Sequence, residues 1–419
     1  MRAFPVTVTG IGVIAPNGVG KQVYWQRCLD GAAGIRPITA FDARGYRCRF
    51  AAQIEDDRPA EILGTGGLRT LDRTTLLSLI AAKLALSDAG LDPAVEGCTI
   101  GVVLGSTLGS LRSISEFDLA GLRDGPRYVN PAYFPNAVIN SPASQISIRF
   151  QLQALNATIA SGLTASLDAI GYAIDMLRLG RARRMLAGGV EEFCRQTFEG
   201  FYRMGALATS PDDHPPAFAP MHGGRRGTLL GEGAAMLLLE PPAEARRRGA
   251  ASCADVLGYA TAFSQRGPFR RDPAGAAAVS AIRGALAAAE LSPDAIDGIS
   301  VSANGAGSSD ETEAAAIAAV FGPRASEIPV MAIKSLIGET FSAAGAMQVA
   351  AAIGAMHANY VPPTRPFGCS DWLLTPLLPG IAHTGRPATI RHCLVIGTSV
   401  TGVSSALVLR RPDPEAAHG

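Results

Sequence analysis

The side chains of this sequence that could do chemistry gather in two short stretches. Ser302-Ala-Asn304-Gly-Ala-Gly is followed by Asp310 and Glu313, and Lys334-Ser-Leu-Ile-Gly-Glu339 lies further on. A carboxylate such as Glu339 can act as a general base, and an amide such as Asn304 can donate to a carbonyl oxygen. A purely structural arrangement is equally open. Glu339 would sit near the start of a helix expected over 340–356, where negative charge is favoured and Lys334 or a helix-start amide can satisfy it. Asn304 can satisfy its own loop, and Lys334 with Glu313 can form a buried ion pair. Upstream, Ser161 carries a hydroxyl, but the six histidines at 214, 222, 357, 383, 392 and 418 lie outside these stretches, so no imidazole is placed to activate it. Its neighbour Leu163 has no chemistry to offer and is expected to fill space, worth about 2 kcal/mol if fully buried.

These residues need a frame, and the patterning describes one. Apolar runs followed by Gly/Ser turns alternate with Ala-rich helical stretches, which predicts α/β layering. The halves echo one another. Thr99-Ile-Gly-Val-Val-Leu-Gly and Gly298-Ile-Ser-Val-Ser-Ala-Asn both read as a strand entering a small-residue loop. A strand, tight turn and helix follow at 157–179 and again at 329–356. Each half closes on a strand into a glycine turn, at 184–191 and 394–401. Two halves, each too open to bury its own sheet, would share one core. The expected division is 1–248 and 249–412, joined through the Pro-bearing stretch 240–249, with a flexible tail at 413–419. Irregular, Gly/Pro-rich stretches at 205–230 and 358–390 are expected to surround a site or an interface.

Composition bounds the function. The 419 residues carry a formal net charge of +1, which argues against a nucleic-acid binder. Seven cysteines are scattered without a CxxC pair, so reduced thiols and no zinc or other metal site are expected. The N-terminus enters a strand without a signal-peptide pattern, and no apolar run is long enough to span a bilayer. A cytoplasmic protein without membrane contact is the expectation.

Several motifs, taken in order, resemble a known family. Val6-Thr-Val-Thr-Gly-Ile-Gly-Val-Ile-Ala-Pro-Asn-Gly is similar to the first strand and turn of β-ketoacyl-acyl-carrier-protein synthases. Ala187-Gly-Gly-Val-Glu191, Gly231-Glu-Gly-Ala-Ala-Met-Leu-Leu-Leu-Glu240 and Lys334-Ser-Leu-Ile-Gly-Glu339 resemble their internal signatures, so the likeness runs from about residue 5 to 410. The resemblance implies the thiolase-like fold: two pseudo-duplicated halves in five αβαβα layers, assembled as a dimer. It also implies a Cys-His-His set, with a cysteine at a helix N-terminus to take the acyl chain and two histidines to assist malonyl decarboxylation. The matching positions here hold Leu163, Asn304 and Glu339, while Lys334 and Glu313 are retained.

By the same resemblance, Val400 and Thr401 stand in the gating loop. Tyr133 or Phe134 would line the acyl tunnel across the dimer interface, against the plain alternative of core packing. Arg69 and Arg73 would face an acyl carrier protein; the arginines at 181, 183, 184 and 246–248 could do so too, or be a solvated face. The altered set resembles a chain-length-factor subunit, the non-catalytic partner of an active ketosynthase in a type II polyketide, polyene or fatty-acid-like system. Its expected partners are that ketosynthase and an acyl carrier protein, with no cofactor. Two alternatives stay open: an acyltransferase or hydrolase using Glu339 as base and Asn304 as oxyanion donor without a covalent intermediate, and a homodimeric scaffold that holds carrier-bound chains.

Overall fold

The computed structural model describes residues 4–210, 214–223, 227–266, 272–369, 375–381 and 383–413; the tail expected to be flexible lies, from 414 on, outside the described residues. Ten strands form the principal sheet. In the first half they are β1 (Val6–Ala15), β2 (Ile100–Gly105), β3 (Asn156–Ile159), β4 (Arg184–Glu191) and β5 (Gly233–Glu240). In the second they are β6 (Ala254–Phe263), β7 (Gly298–Ser300), β8 (Val330–Met331), β9 (His392–Thr398) and β10 (Val403–Arg410). The spatial order is β8-β7-β9-β10-β6-β1-β5-β4-β2-β3. Read outward from the β1–β6 seam, the two halves have the same order and the same mixture of parallel and antiparallel neighbours. The seam itself is antiparallel, pairing Val6, Thr7 and Val8 with Val256, Asp255 and Ala254.

Seven helices cover the sheet: α1 (Arg73–Asp88), α2 (Leu111–Asp124), α3 (Ser141–Phe150), α4 (Ala165–Arg178), α5 (Ala276–Ala288), α6 (Gly307–Phe321) and α7 (Ala344–Ala358). Strand alternation sends successive side chains to opposite faces. In β5, Ala234, Met236 and Leu238 pack with α1 and α3, while Ala235, Leu237 and Leu239 pack with α4 and α7. In β10, Ala406 and Val408 pack with α5 and α6, while Leu407 and Leu409 join the same central cluster as α4 and α7. The result is five layers, helices–sheet–helices–sheet–helices, the thiolase-like architecture the motifs implied. Strands buried on both faces explain the near-continuous apolar runs.

Local chemistry fixes the helices. Asp72 caps α1 by accepting the Thr75 N–H at 2.7 Å. In the middle layer α7 is buried almost all round, which its run of Ala, Gly, Met, Val and Ile permits. Gly171 in α4 is required by close packing, because a Cβ there would lie 2.2 Å from the Tyr259 ring. Among the described residues no single helix is long and apolar enough to cross a membrane; the bent pair 73–88 and 93–99 passes only by length and composition, and α1 is largely core.

By contrast, α2 buries none of its residues despite carrying Leu111, Ile114, Phe117, Leu119 and Leu122. It packs on the 3-10 segment Pro131–Ala137, which in turn touches α3. Together they expose Leu119, Leu122, Tyr128, Tyr133, Phe134, Val138, Ile139 and Ile148, a contiguous apolar face of the kind that monomers rarely leave open.

Candidate functional site

Leu163 lies on a single 3-10 turn, Gly162–Thr164, that feeds directly into α4. Gly162 adopts φ +82°, and a Cβ there would meet Ser399 Oγ at 2.7 Å. Thr107 Oγ1 donates to the Gly162 carbonyl at 3.0 Å and holds the turn from the other side. The Leu163 side chain is 7% exposed and belongs to an apolar cluster with Phe193, Phe198, Phe218, Leu207, Leu229 and Phe341. Its backbone N–H, one of the amides a helix start leaves free, donates to Ser399 Oγ at 3.3 Å. Ser399 in turn shares a hydrogen bond of 2.8 Å with Thr401 Oγ1. Val400 lies between them and lines a cavity of about 540 Å³ with Ser399, Ala306, Gly307, Ser308 and Ser309.

Asn304, Lys334 and Glu339 come together in one buried network. Glu339 Oε2 accepts from Lys334 Nζ at 2.8 Å and from Asn304 Nδ2 at 2.7 Å, while Oε1 accepts the Phe341 N–H at 2.9 Å. Lys334 also donates to Ser302 Oγ at 3.3 Å, and Asn304 Oδ1 accepts the Ala306 N–H at 3.0 Å. The Glu339 backbone is pinned to the 229–231 strand segment, donating to Leu229 O and accepting from Gly231 N, both at 2.8 Å. Phe341 sits at φ +50°, a region that costs a bulky residue about 1–3 kcal/mol, and the Glu339 carboxylate holds its amide there. Phe341 also belongs to the Leu163 cluster, so the two parts of the site are in packing contact. The irregular stretches around 205–230 do border this site, through the paired segments Leu207–Thr228 and Leu230–Glu339.

The expected Lys334–Glu313 ion pair is not formed. Lys334 spends its charge on Glu339, and Glu313 instead accepts the Ser302 N–H at 2.7 Å through Oε1. Glu313 Oε2 is buried without a hydrogen-bond partner. Burial pushes the Glu313 carboxyl up to about 8; the Ser302 amide pulls it down, the Asp310 charge pushes it up, and Lys334 pulls it down. Glu313 therefore sits in the core as a neutral acid. Two further carboxyls are raised chiefly by burial, Glu191 to about 6 and Glu192 to about 7. Glu191 is structural: it accepts from Thr107 N, Leu108 N and Ser342 Oγ, tying the loop beside Gly162 to the turn after Glu339.

Raised carboxyl pKa values bind protons preferentially in the folded state, so stability falls as pH rises from the unfolded value near 4.5 toward the folded one. Each such group contributes a slope of about −1.4 kcal/mol per pH unit within its window. Stability measured by urea titration is expected to decline between about pH 5 and 8, and Glu313→Gln is expected to flatten that decline, most visibly in its upper part. A pH profile identical to wild type in Glu313→Gln would contradict the neutral-acid assignment.

Other expected residues are placed differently. Tyr133 and Phe134 are 53% and 57% exposed, so core packing within this chain is not their role. Arg73 turns inward: its guanidinium grips Glu232 through two bonds of 2.6 Å and also reaches Ile54 O and Asp57. Only Arg69 of the expected carrier-facing pair is exposed. Within the basic run, Arg184 and Arg248 are consumed by the buried Glu240, and Arg183 and Arg247 by Glu244. Ser161 donates to Asp168, which also accepts from Thr164 Oγ1, Tyr259 OH and Ser405 Oγ; a hydroxyl held this way is a helix-start brace. Sequence reading missed Ser399, Ser302 and Asp168. Each is a small polar residue in an apolar stretch, a signal too common to single out. Among the described residues no group of three or more His, Cys, Asp or Glu could hold a metal ion.

The β-ketoacyl synthase N-terminal domain matches residues 3–245 and the C-terminal domain matches residues 253–368. The chain belongs to the β-ketoacyl synthase family. It is similar to the tetracenomycin polyketide synthase ketoacyl synthase alpha subunit of Streptomyces glaucescens, 34% identical over 97% of each chain. It is nearly as similar to the beta subunit of the same system, 33% identical over 97% of this chain and 98% of that one. Among solved structures, the ishigamide ketosynthase/chain length factor superposes with a TM-score of 0.89 at 29% identity, covering 98% of this chain and all of that chain. Overall likeness thus barely separates the two subunit types, and the residues at 163, 304 and 339 have to carry the distinction.

Proposed function

We propose that this chain is the non-condensing, chain-length-factor-like partner of a cysteine-bearing β-ketoacyl synthase in a type II polyketide, polyene or fatty-acid-like system. It would shape the acyl tunnel at a heterodimer interface while the partner holds the thioester and makes the carbon–carbon bond. The observation that carries this reading is Leu163: a hydrocarbon side chain seated in an apolar cluster at the helix start where the family's nucleophile belongs. It is supported by the closed network at the other two positions. Glu339 already accepts three hydrogen bonds and faces a lysine, which leaves it poorly suited to collect a substrate proton.

The exposed apolar face formed by α2, the 131–137 segment and α3 supports the partner. Its occupant in this reading is a second chain of the same fold that keeps the Cys-His-His set, related by a pseudo-twofold axis. Tyr133 and Phe134 would then enter the partner's tunnel, Val400 and Thr401 would stand at the vestigial gate, and Arg69 would face an acyl carrier protein. The halves divide near residue 248, and a cytosolic location belongs to the same proposal.

Co-expression with the cysteine-bearing homologue encoded nearest to this chain is the test. A 1:1 complex is expected, and incubation with radiolabelled acyl carrier protein should place covalent label on the partner alone. Label held covalently on this chain, or a stable homodimer that ignores the homologue, would refute the reading.

A further inference from the structure

A second cavity, of about 570 Å³, opens between α2, the 69–73 turn and the 128–136 segment. That volume falls within the roughly 300–1,000 Å³ typical of small-molecule sites. Its rim is apolar, with the exposed Tyr128 and Tyr133 continuous with the face assigned above to the partner chain. Its interior is not. Glu192 lines it while being 2% exposed, with one carboxylate oxygen accepting the Arg112 N–H at 2.9 Å. Arg112 also lines it, its guanidinium 2.8 Å from Glu116. Asp72 contributes a carboxylate oxygen, Oδ2, that is buried and has no hydrogen-bond partner.

A saturated chain entering such a cavity would strip water from these groups and return nothing. A chain bearing oxygen along its length would return both kinds of partner: acceptors for the Arg112 guanidinium, and hydroxyl or enol donors for Asp72 and Glu192. We propose that this cavity receives the far end of the acyl chain grown on the partner and selects an oxygen-bearing chain over a saturated hydrocarbon. The proposal rests on the heterodimer reading. Glu192, raised by burial to about 7, is divided between donor and acceptor forms at neutral pH, which suits a chain carrying both keto and hydroxyl oxygens.

The test uses the assembled complex, with assembly established first by gel filtration. Two non-hydrolysable acyl-pantetheine amides of equal chain length serve as competitive probes, one saturated and one hydroxylated on alternate carbons. The complex is expected to bind the hydroxylated probe about tenfold more tightly, a modest part of the discrimination a fully enclosed polar site can reach. In Arg112→Leu/Glu116→Leu, which alters two exposed side chains, that preference should shrink to about twofold or less. Equal or tighter binding of the saturated probe by the wild-type complex would overturn the proposal, and so would a double variant that keeps the full preference. Failure to assemble would instead remove the heterodimer reading, and this one with it.

Discussion

Lys334→Met is expected to destabilise the protein by about 3–5 kcal/mol, the range found when one member of a buried ion pair is removed. Lys334 and Glu339 are each about 1% exposed at the side chain, with Nζ and Oε2 2.8 Å apart. Without the ammonium, Glu339 keeps two hydrogen bonds, from Asn304 and the Phe341 amide, but has no countercharge in a dry site. Glu339→Gln should cost markedly less. The orphaned Lys334 would still have Glu313 near enough to lower that carboxyl's pKa, so an ionised Glu313 can take over the charge. Lys334→Met/Glu339→Gln should recover much of the loss, because a neutral amide replaces a stranded charge. Urea titrations at one fixed protein concentration would measure the series, since association shifts apparent stability. A Lys334→Met variant as stable as Glu339→Gln would mean that the ion pair does not hold the site together.

Leu163→Cys, purified alone, is expected to show no condensation above background. The position is suited to a thiolate, since a helix start favours negative charge. Two obstacles remain. Ser399 Oγ already occupies the backbone amide of residue 163, and the groups at 304 and 339 are an amide and a lysine-paired carboxylate in place of two imidazoles. General acid–base groups typically contribute about 10²–10⁴-fold, so Leu163→Cys/Asn304→His/Glu339→His should exceed Leu163→Cys by at least about 10²-fold. Iodoacetamide labelling of Leu163→Cys would check that the thiol is present and reactive. Condensation by Leu163→Cys at the rate of a complete ketosynthase would show that the histidine positions are dispensable, and the functional reading would fall.

The motifs made the architecture legible because a strand buried on both faces has few solutions other than long apolar runs. Those runs at β1, β4, β5, β9 and β10 carry the family signatures in order. The duplication was visible for the same reason, and the matching strand orders on either side of the β1–β6 seam bear out the echo between 99–105 and 298–304. The site was legible in its residue types. Leucine, asparagine and glutamate at 163, 304 and 339 speak against a covalent thioester before any distance is known.

The sequence by itself determined which elements form, which faces are apolar, and that the three chemically decisive positions are altered. Only the tertiary structure decided which acid meets Lys334, that Arg73 is spent on Glu232, that Ser399 covers the Leu163 amide, and that Tyr133 and Phe134 stand outside the core. Periodicity records burial along one element at a time. A charge in a dry interior takes the partner that packing brings within hydrogen-bond reach, and that distance depends on how elements far apart in the chain settle against one another.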